Sequence, residues 1–212
     1  MTKFENIASP AIVLLRDNID TDQIIPARFL KVTERDGLGQ SLFADWRSKP
    51  GFPLNADFET TPRVLITGHN FGCGSSREHA VWALMDFGFR TVVSTGFADI
   101  FRQNALKNGL LPIVLAEADH MSLVESLRSD DAAICKVALS AQTLSAGPAG
   151  PFSFPIDSFS KKCLLEGIDE LGYLLSYANA ISAYESSYLD RTTKVSGERT
   201  IPLLREGGVD AT

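Results

Sequence analysis

The stretch VLITGHNFGCGSSREHAVWALMDF (residues 64–87) decides the fold that we expect. Its first four residues, Val64–Thr67, are apolar or β-branched and predict a buried strand. A glycine-rich turn occupies residues 68–74. Residues 76–87 repeat apolar side chains at helical spacing, and Gly88 stands where a helix commonly ends. The stretch therefore predicts one strand–turn–helix unit of an α/β protein.

The same alternation of strand and helix continues directly after this unit. We expect strands at residues 91–95 and 110–115, and helices at residues 98–108 and 117–127. Strands and helices that alternate through short connections form right-handed crossovers, and these crossovers produce a parallel sheet. The sequence therefore predicts an α/β fold with a parallel βαβ core.

The flanking segments predict a loose N-terminal part and a helical C-terminal part. Residues 11–15 predict a strand, and the glycines and prolines of residues 35–56 predict a long N-terminal loop that is functional or mobile. After the βαβ core, we expect strands at residues 133–138, 142–146 and 152–156. A C-terminal helical extension begins at about residue 158, with helices at residues 158–166 and 168–187 and fraying from about residue 190. We expect residues 1–212 to form a single domain.

The composition excludes several classes of function. The chain has 212 residues and a formal net charge of −6, so no overall basic field attracts nucleic acid or an anionic membrane. No apolar run approaches the length of a membrane-spanning helix, and residues 1–10 lack the apolar core of a secretion signal. The three widely spaced cysteines, Cys73, Cys135 and Cys163, argue against a disulfide framework and favour a cytoplasmic protein.

The cysteines and histidines also limit the metals that this chain can bind. An iron–sulfur cluster usually needs three or four thiolates, often in C-x-x-C spacing, and the sequence has no such spacing. The histidines, His69, His79 and His120, form no H-E-x-x-H pattern. We therefore expect this chain alone to bind no metal and no cofactor.

The turn between the first strand and helix of the core is the best candidate for a functional site. In open α/β sheets, ligands bind beyond the carboxyl ends of the strands, where helix N-termini converge. Gly72 and Gly74 allow the backbone to take positive φ and approach a ligand, and Arg77 offers two parallel donors to a carboxylate. The turn lacks the Gly-Lys-Ser/Thr ending of a P-loop, and Arg77 stands where a dinucleotide fingerprint needs its third glycine. These features predict a site for a small organic acid.

Each of these residues also has a simpler structural explanation. Ser75 and Glu78 fit a capping box, in which Ser75 would only cap the helix and contribute about 1 kcal/mol. Arg77 by itself is more often a solvated charge. A small buried side chain is the better explanation for Cys73, and a hydrogen-bonded helix histidine for His79. The grouping of two glycines, two serines and an arginine in one turn favours the functional interpretation.

The motif N-F-G-C-G-S-S-R-E-H-A at residues 70–80 resembles the signature of the aconitase superfamily's swivelling domain. The segments D-T-D-Q-I-I-P (20–26), F-A-D-I-F (97–101) and N-A-L-K-N-G-L-L-P (104–112) resemble the other motifs of that domain. The resemblance extends over nearly the whole chain, to about residue 185. It implies a swivelling β/β/α domain.

Two further segments narrow the resemblance. D-W-R (45–47) and C-L-L-E-G-I-D (163–169) are similar to segments of the small subunits of bacterial isopropylmalate isomerases, which act in leucine biosynthesis. Such hydro-lyases dehydrate a hydroxy acid and rehydrate the alkene with the hydroxyl group on the adjacent carbon. The resemblance implies isopropylmalate as the substrate and a large-subunit partner, in a heterodimer or larger assembly. It also implies that the partner carries a 4Fe–4S cluster, whose open iron assists the departure of hydroxide.

The resemblance assigns roles to residues of the turn. Ser75 corresponds to the family's base, which removes a proton from a carbon next to a carboxylate. Arg77 and Ser76 correspond to ligands of the substrate carboxylate, and Gly74 lets the backbone approach the substrate. Asp22 corresponds to the aspartate of the first motif, which belongs near the substrate hydroxyl and its proton network.

The substrate's alkyl group has no assigned contact in these motifs. We expect it to meet the apolar side chains that follow the first motif's aspartate, namely Ile24, Ile25 and Leu30. Aconitase holds a third carboxylate with a further arginine, and this chain has Arg28 and Arg35 in that region at a different spacing. Two alternatives therefore stay open. One is a related hydro-lyase acting on homoaconitate, citraconate or a methyl-substituted malate, and the other is a non-catalytic anion-binding domain.

Overall fold

A computed structural model describes residues 1–31, 36–56, 58, 60–130 and 132–196, with side chains up to residue 188. Arg35 and the tail after residue 196 lie outside the described residues. The centre of the fold is a parallel sheet whose strands are, in spatial order, β2 (Ala11–Leu14), β3 (Val64–Thr67), β4 (Thr91–Ser94) and β5 (Leu111–Val114).

Three helices connect or follow these strands: α3 (Glu78–Phe87), α4 (Asp99–Asn108) and α5 (Glu117–Ser129). All four residues of β3 and all four of β4 are buried, as is typical of parallel strands that are covered on both faces. The parallel βαβ core that the sequence predicts is therefore confirmed. The structure starts α3 at Glu78 rather than at Ser76, and the site geometry explains the difference.

A second, antiparallel sheet has the spatial order β1 (Ile7–Ser9), β6 (Cys135–Ala138), β7 (Thr143–Ala146) and β8 (Ala149–Ser153). The sequence predicted β6 and β7 but not β1, which has only three residues and whose partner strand is far away in the chain. The prediction for the last strand, residues 152–156, began too late. Gly150 and Pro151 suggested a turn there, but both belong to β8, which pairs with β7.

We call the described residues between β2 and β3, which are 15–31, 36–56, 58 and 60–63, the N-terminal segment. It begins with the short helix α1 (Thr21–Ile24) and a 3₁₀ turn at Ala27–Phe29. The described part of the long loop that we predicted for residues 35–56 is more ordered than expected, because it contains the short helix α2 (Ala44–Arg47) and 3₁₀ turns at Leu38–Ser41 and Pro53–Asn55. Leu42 and Phe43 are completely buried in the core. Glycines and prolines mark the bends in this segment, but its apolar side chains attach it to the rest of the protein.

Two hydrophobic clusters cover the two faces of the parallel sheet. One contains Leu65 and Val92 and packs beneath α3 and the N-terminal segment. The other contains Ile66 and Val93 and packs against α5 and the antiparallel sheet. Adjacent residues of a strand point to opposite faces, so each strand contributes to both clusters. With both faces covered, the carboxyl edge of the sheet is the place where polar groups are open to a ligand.

The C-terminal helices are α6 (Ser158–Glu166), α7 (Glu170–Ser176) and α8 (Ala178–Ser196). The predicted helix at residues 168–187 is divided at Tyr177, and α8 continues through residue 190, where we expected fraying. The chain separates into two compact units, Met1–Glu170 and a C-terminal unit that begins at Leu171. The single domain with a helical extension stays a prediction. Among the described helices, none has both the length and the apolar composition that crossing a membrane requires.

Candidate active site

The predicted acid-binding turn lies at the carboxyl edge of the parallel sheet. The turn leads from β3 into α3, and the neighbouring strand β4 leads into the first residues of α4. Between these two helix N-termini is a pocket of about 270 Å³. Its lining residues are Thr21, Gly72, Gly74, Ser75, Ser76, Arg77, Ala98, Asp99, Ile100 and Phe101. Four of the predicted site residues, from Gly74 to Arg77, are therefore brought together in one pocket.

The two glycines of the turn take the backbone conformation that we predicted. Gly72 has φ +76° and Gly74 has φ +88°, both in the region that other residues rarely adopt. A β-carbon on Gly72 would lie 2.2 Å from Cγ of Phe101, so no larger residue fits there without moving that ring. The turn can follow this path only because these positions are glycine.

The N-terminal segment runs alongside the turn and holds its backbone. The amide of Asn18 donates to the carbonyl of His69 at 2.8 Å, and the amide of Gly72 donates to the carbonyl of Ile19 at 2.7 Å. The amide of Thr21 then donates to the carbonyl of Cys73 at 2.9 Å. The first motif and the glycine–serine motif, which are far apart in sequence, therefore form one structural unit.

Ser75 does not cap α3. The residue that precedes the helix is Arg77, in extended conformation (φ −134°, ψ 107°), and no side chain caps it. The capping-box explanation of Ser75 and Glu78 is therefore wrong. A true capping box stands on α1, where the Asp20 side chain accepts from the Gln23 amide and the Gln23 side chain accepts from the Asp20 amide. The exposed Ser75 side chain is thus free of a capping role and adjoins the pocket.

Arg77 uses its guanidinium fork to bind the carboxylate of Asp22. Both terminal nitrogens donate to it, one to each carboxylate oxygen, with 2.9 Å between Nη2 and Oδ2. The Arg77 side chain is only 16% exposed, while that of Asp22 is 54% exposed. Arg77 is therefore not a solvated surface charge. It already presents the two-donor geometry that fits a carboxylate, and Asp22 is connected to the pocket through it.

Cys73 and His79 are less central than these residues. Cys73 is only partly buried, so the prediction of a small buried side chain needs correction. Burial and the neighbouring Asp20 raise the pKa of the Cys73 thiol, which disfavours a reactive thiolate. The imidazole of His79 packs on the ring of Trp82, with 4.6 Å between ring centroids. His79 therefore contributes to the packing of α3.

The donor groups in the part of the chain that the structure describes do not fit an iron–sulfur cluster. Among the described residues, no group of three or more His, Cys, Asp or Glu side chains is placed to hold a metal ion. Burial raises the pKa of the Cys135 thiol to about 12, and the pKa of Cys163 is also raised, mainly by burial. Thiols ligate iron as thiolates, so these two cysteines are poorly suited to the task.

The apolar contacts that we predicted for the substrate require correction. Ile24 and Ile25 are completely buried in the core, so neither presents surface to a ligand in this structure. Their apolar character serves packing instead. Leu30 is partly exposed, but it packs against the core and is not among the residues that line the pocket. Ile100 lines the pocket with half of its surface exposed. It belongs to the F-A-D-I-F segment that resembles a family motif, but no contact with the substrate was predicted for it from the sequence, because an apolar side chain looks the same in a core and at a ligand.

The third-carboxylate arginine is not apparent in the described residues. Arg28 donates from both terminal nitrogens to the carboxylate of Asp45, and both side chains are more than half exposed. This pair raises the pKa of Arg28, chiefly through the hydrogen bond. Arg28 is not among the residues that line the pocket. Arg35, the other candidate, lies outside the described residues.

Comparisons with known proteins identify the family of this chain. The family model of the aconitase C-terminal domain matches residues 1–118. The 3-isopropylmalate dehydratase small subunit of Herpetosiphon aurantiacus is 51% identical over 195 residues, which cover 92% of this chain and 99% of that protein. The chain belongs to the family of 3-isopropylmalate dehydratase small subunits.

Further relatives extend the match. The 3-isopropylmalate dehydratase small subunit of Anaeromyxobacter dehalogenans is 51% identical over 185 residues, covering 84% of this chain and 95% of that protein. A crystal structure of a 3-isopropylmalate dehydratase from Methanocaldococcus jannaschii is similar with a TM-score of 0.63 and 27% identity. The structural alignment covers 85% of this chain and 99% of the Methanocaldococcus jannaschii chain. The resemblance to the aconitase superfamily, and within it to the 3-isopropylmalate dehydratase small subunits, is confirmed, as is the swivelling-type α/β fold.

Proposed function

We propose that this chain is the small subunit of 3-isopropylmalate dehydratase, also called isopropylmalate isomerase, and supplies the base for the reaction. The enzyme interconverts 2-isopropylmalate and 3-isopropylmalate in leucine biosynthesis. It removes water and adds it back so that the hydroxyl group moves to the adjacent carbon. The observation that carries the proposal is the pocket in which Ser75 stands beside Arg77, whose fork already holds a carboxylate. A base next to a carboxylate ligand is what abstraction of a proton from the adjacent carbon requires.

Ser75 is the proposed base. In the dehydration step, the Ser75 alkoxide takes the proton from the carbon next to a carboxylate and becomes the neutral hydroxyl, and hydroxide leaves from the neighbouring carbon. In the hydration step, the same oxygen returns the proton to the carbon that lost the hydroxyl group. Serine is a weak base unless its alkoxide is stabilised. The Arg77 guanidinium and the N-terminus of α3 supply positive charge and donors for that purpose.

Arg77 and Ser76 are the proposed ligands of the substrate carboxylate. Asp22 now occupies the arginine fork, so a substrate carboxylate must either displace Asp22 or share Arg77 with it. With more than half of its side chain exposed, Asp22 has room to turn away. We propose that Asp22 then faces the substrate hydroxyl and its proton network, with Gly74 leaving the backbone close to the substrate.

The large subunit is the proposed carrier of the 4Fe–4S cluster. The relatives are named small subunits, which supports the existence of a larger partner. When bound, the cluster acts as a Lewis acid for the departing hydroxide. The described residues of this chain supply the base and the carboxylate ligands but no fitting set of cluster ligands. We also place the enzyme in the cytoplasm, and the three free cysteines support this.

The isopropyl group is proposed to meet the apolar surface of Ile100, which lines the pocket and is half exposed. Burying a third carboxylate in the same place would require a paired cation. Arg28 lies on the exposed surface and is not among the residues that line the pocket, which supports a substrate with an alkyl group over citrate or homocitrate. Homoaconitate, citraconate and methyl-substituted malates remain the alternatives to compare.

The test is anaerobic co-expression of this chain with a large subunit of 3-isopropylmalate dehydratase, followed by assays on a panel of substituted malates. We expect the isolated chain to be inactive and the pair to convert isopropylmalate. A methyl-substituted malate should react more slowly, because each missing methylene costs about 1–3 kcal/mol. Comparable kcat/KM for citrate or homocitrate would contradict the substrate assignment. Absence of hydro-lyase activity from a cluster-loaded pair would favour a non-catalytic anion-binding role.

A further inference from the structure

We infer that Thr21 is a positioning residue that fixes the direction of Ser75 through the Ser75 main chain. The inference rests on the proposed function, because it gives Ser75 the role of base. Thr21 belongs to the D-T-D-Q motif but has no assigned role, and its side chain is 2% exposed at the edge of the pocket.

The backbone hydrogen bonds between the N-terminal segment and the turn end just before the serines. They run from Asn18 and Ile19 to Thr21 on one side, and the last of them reaches the carbonyl of Cys73. Gly74 follows, with φ +88° and no β-carbon to restrict its rotation. The backbone hydrogen bonds therefore do not fix the orientation of Ser75, because rotation about the backbone of Gly74 can change it.

Thr21 forms hydrogen bonds with the residues on both sides of Gly74. Its Oγ1 donates to the carbonyl oxygen of Ser75 at 2.9 Å, while the Thr21 amide holds the carbonyl of Cys73. One residue thus fastens the backbone on both sides of Gly74. Thr21 is buried and the hydrogen bond is partly buried, so removal of the hydroxyl would leave the Ser75 carbonyl without this protein donor and its peptide less firmly oriented.

Thr21 is itself firmly placed. It is the first residue of α1, whose N-terminus is closed by the capping box of Asp20 and Gln23. A capped helix end is a rigid support for a side chain that must hold a neighbouring loop. Thr21 therefore acts on Ser75 from a fixed point, without touching the proton that is transferred.

The matched substitutions are Thr21→Val, Thr21→Ser and Thr91→Val, each made in the assembled two-subunit enzyme. Valine keeps the shape of threonine but removes the donor, whereas serine keeps the donor. Thr91 is a control because its buried hydroxyl donates to the carbonyl of Leu111 at 2.7 Å, at the opposite end of the sheet from the pocket. All three variants are compared by kcat, KM and melting temperature.

We expect Thr21→Val to lower kcat by up to about 10²-fold, the cost of misplacing a reacting group by about 1 Å. KM should change much less, Thr21→Ser should restore most of the turnover, and Thr91→Val should melt earlier but keep its kcat. An unchanged kcat in Thr21→Val, or a similar fall in Thr91→Val, would overturn the inference. If Thr21→Val does not assemble, Thr21→Ala compared with Thr21→Ser gives the same contrast.

Ser75→Ala, measured in parallel, separates the role of Thr21 from the role of Ser75 as the base. An active Ser75→Ala enzyme would contradict the proposed base. An inactive Ser75→Ala enzyme beside a fully active Thr21→Val enzyme would contradict only the role of Thr21.

Discussion

Two irregular segments of this protein contain similar types of residue but have different roles. We call residues 72–78 the serine loop and residues 37–47 the D-W-R segment. Each segment contains glycines that have positive φ or pack closely against a neighbouring residue. Each also contributes one residue to an arginine–aspartate pair: the serine loop contributes Arg77, which pairs with Asp22, and the D-W-R segment contributes Asp45, which pairs with Arg28. In the serine loop, polar side chains adjoin an open pocket. In the D-W-R segment, Leu42 and Phe43 are buried and attach the segment to the core.

The arginine pairs show the same contrast. The Arg77 side chain is 16% exposed beside the pocket, whereas the Arg28 side chain is 55% exposed on the surface. Exposed ion pairs contribute little because water and salt screen them, while a partly buried arginine is held in one direction. An arginine–aspartate pair alone therefore does not indicate a functional site. Its burial and its position beside a pocket do.

The largest expected difference between the two segments comes from replacing each arginine with lysine. Arg77→Lys should lower kcat/KM by about 10- to 100-fold, because lysine keeps the charge but loses the two-donor fork. Arg28→Lys should leave kcat/KM nearly unchanged. Steady-state kinetics of the two assembled variants measure this directly. Equal effects in both variants would mean that Arg77 is no more functional than a surface ion pair.

A smaller effect is expected from the glycines. Gly74 and Gly37 have nearly equal φ, +88° and +86°, so alanine at either position should cost roughly 1–2 kcal/mol of stability. A β-carbon on Gly74 would also lie 3.3 Å from Cβ of Asp20, whereas one on Gly37 has open space among the described residues. We therefore expect both variants to melt earlier, and only Gly74→Ala to lose turnover, by up to about tenfold.

Thermal melting and kcat of the two alanine variants, measured side by side, test this contrast. The melting temperature should report the shared backbone strain, and kcat should report the displacement of the serines. Loss of turnover in Gly37→Ala as well would show that the D-W-R segment also positions catalytic groups.

The smallest expected effect is the pH dependence of the Arg28–Asp45 pair. The hydrogen bond from Arg28 lowers the pKa of Asp45 below its ordinary value of 3.8. A carboxyl group with a lowered folded-state pKa stabilises the protein above its ordinary pKa, and this contribution is lost as the pH falls through the lowered value. Wild type and Asp45→Asn should therefore differ slightly in melting temperature at pH 7 and converge in acid. A large difference at pH 7 would show that the exposed pair stabilises the fold.

The sequence predicted the βαβ core well because its signals are local. Strands β3, β4 and β5 are short apolar runs, and helices α3 and α4 end at the glycines that mark their C-termini. The strand β1 and the burial of the N-terminal segment were missed because both depend on residues distant in the chain. The start of α3 was misjudged for a similar reason. Arg77 is extended and bound to Asp22, and this tertiary contact overrides the local capping pattern.

The candidate site was predicted in part. The glycine–serine motif indicated its position, and the positive φ of Gly72 and Gly74 agrees with that prediction. The burial of Ile24 and Ile25 could not be foreseen, because apolar side chains look the same in a core and at a ligand. The contact from Thr21 to Ser75 joins residues 54 positions apart and has no local signature.

The central claim is that this chain supplies Ser75 as the base. Its most direct test is single-turnover kinetics of the assembled, cluster-loaded enzyme carrying Ser75→Ala, with isopropylmalate deuterated at the carbon that loses its proton. We expect substrate binding and melting temperature to stay close to those of wild type. The rate should fall by about 10²–10⁴-fold, as is typical for loss of a positioned base. Near-normal turnover in the Ser75→Ala enzyme, with an unchanged isotope effect, would contradict the claim.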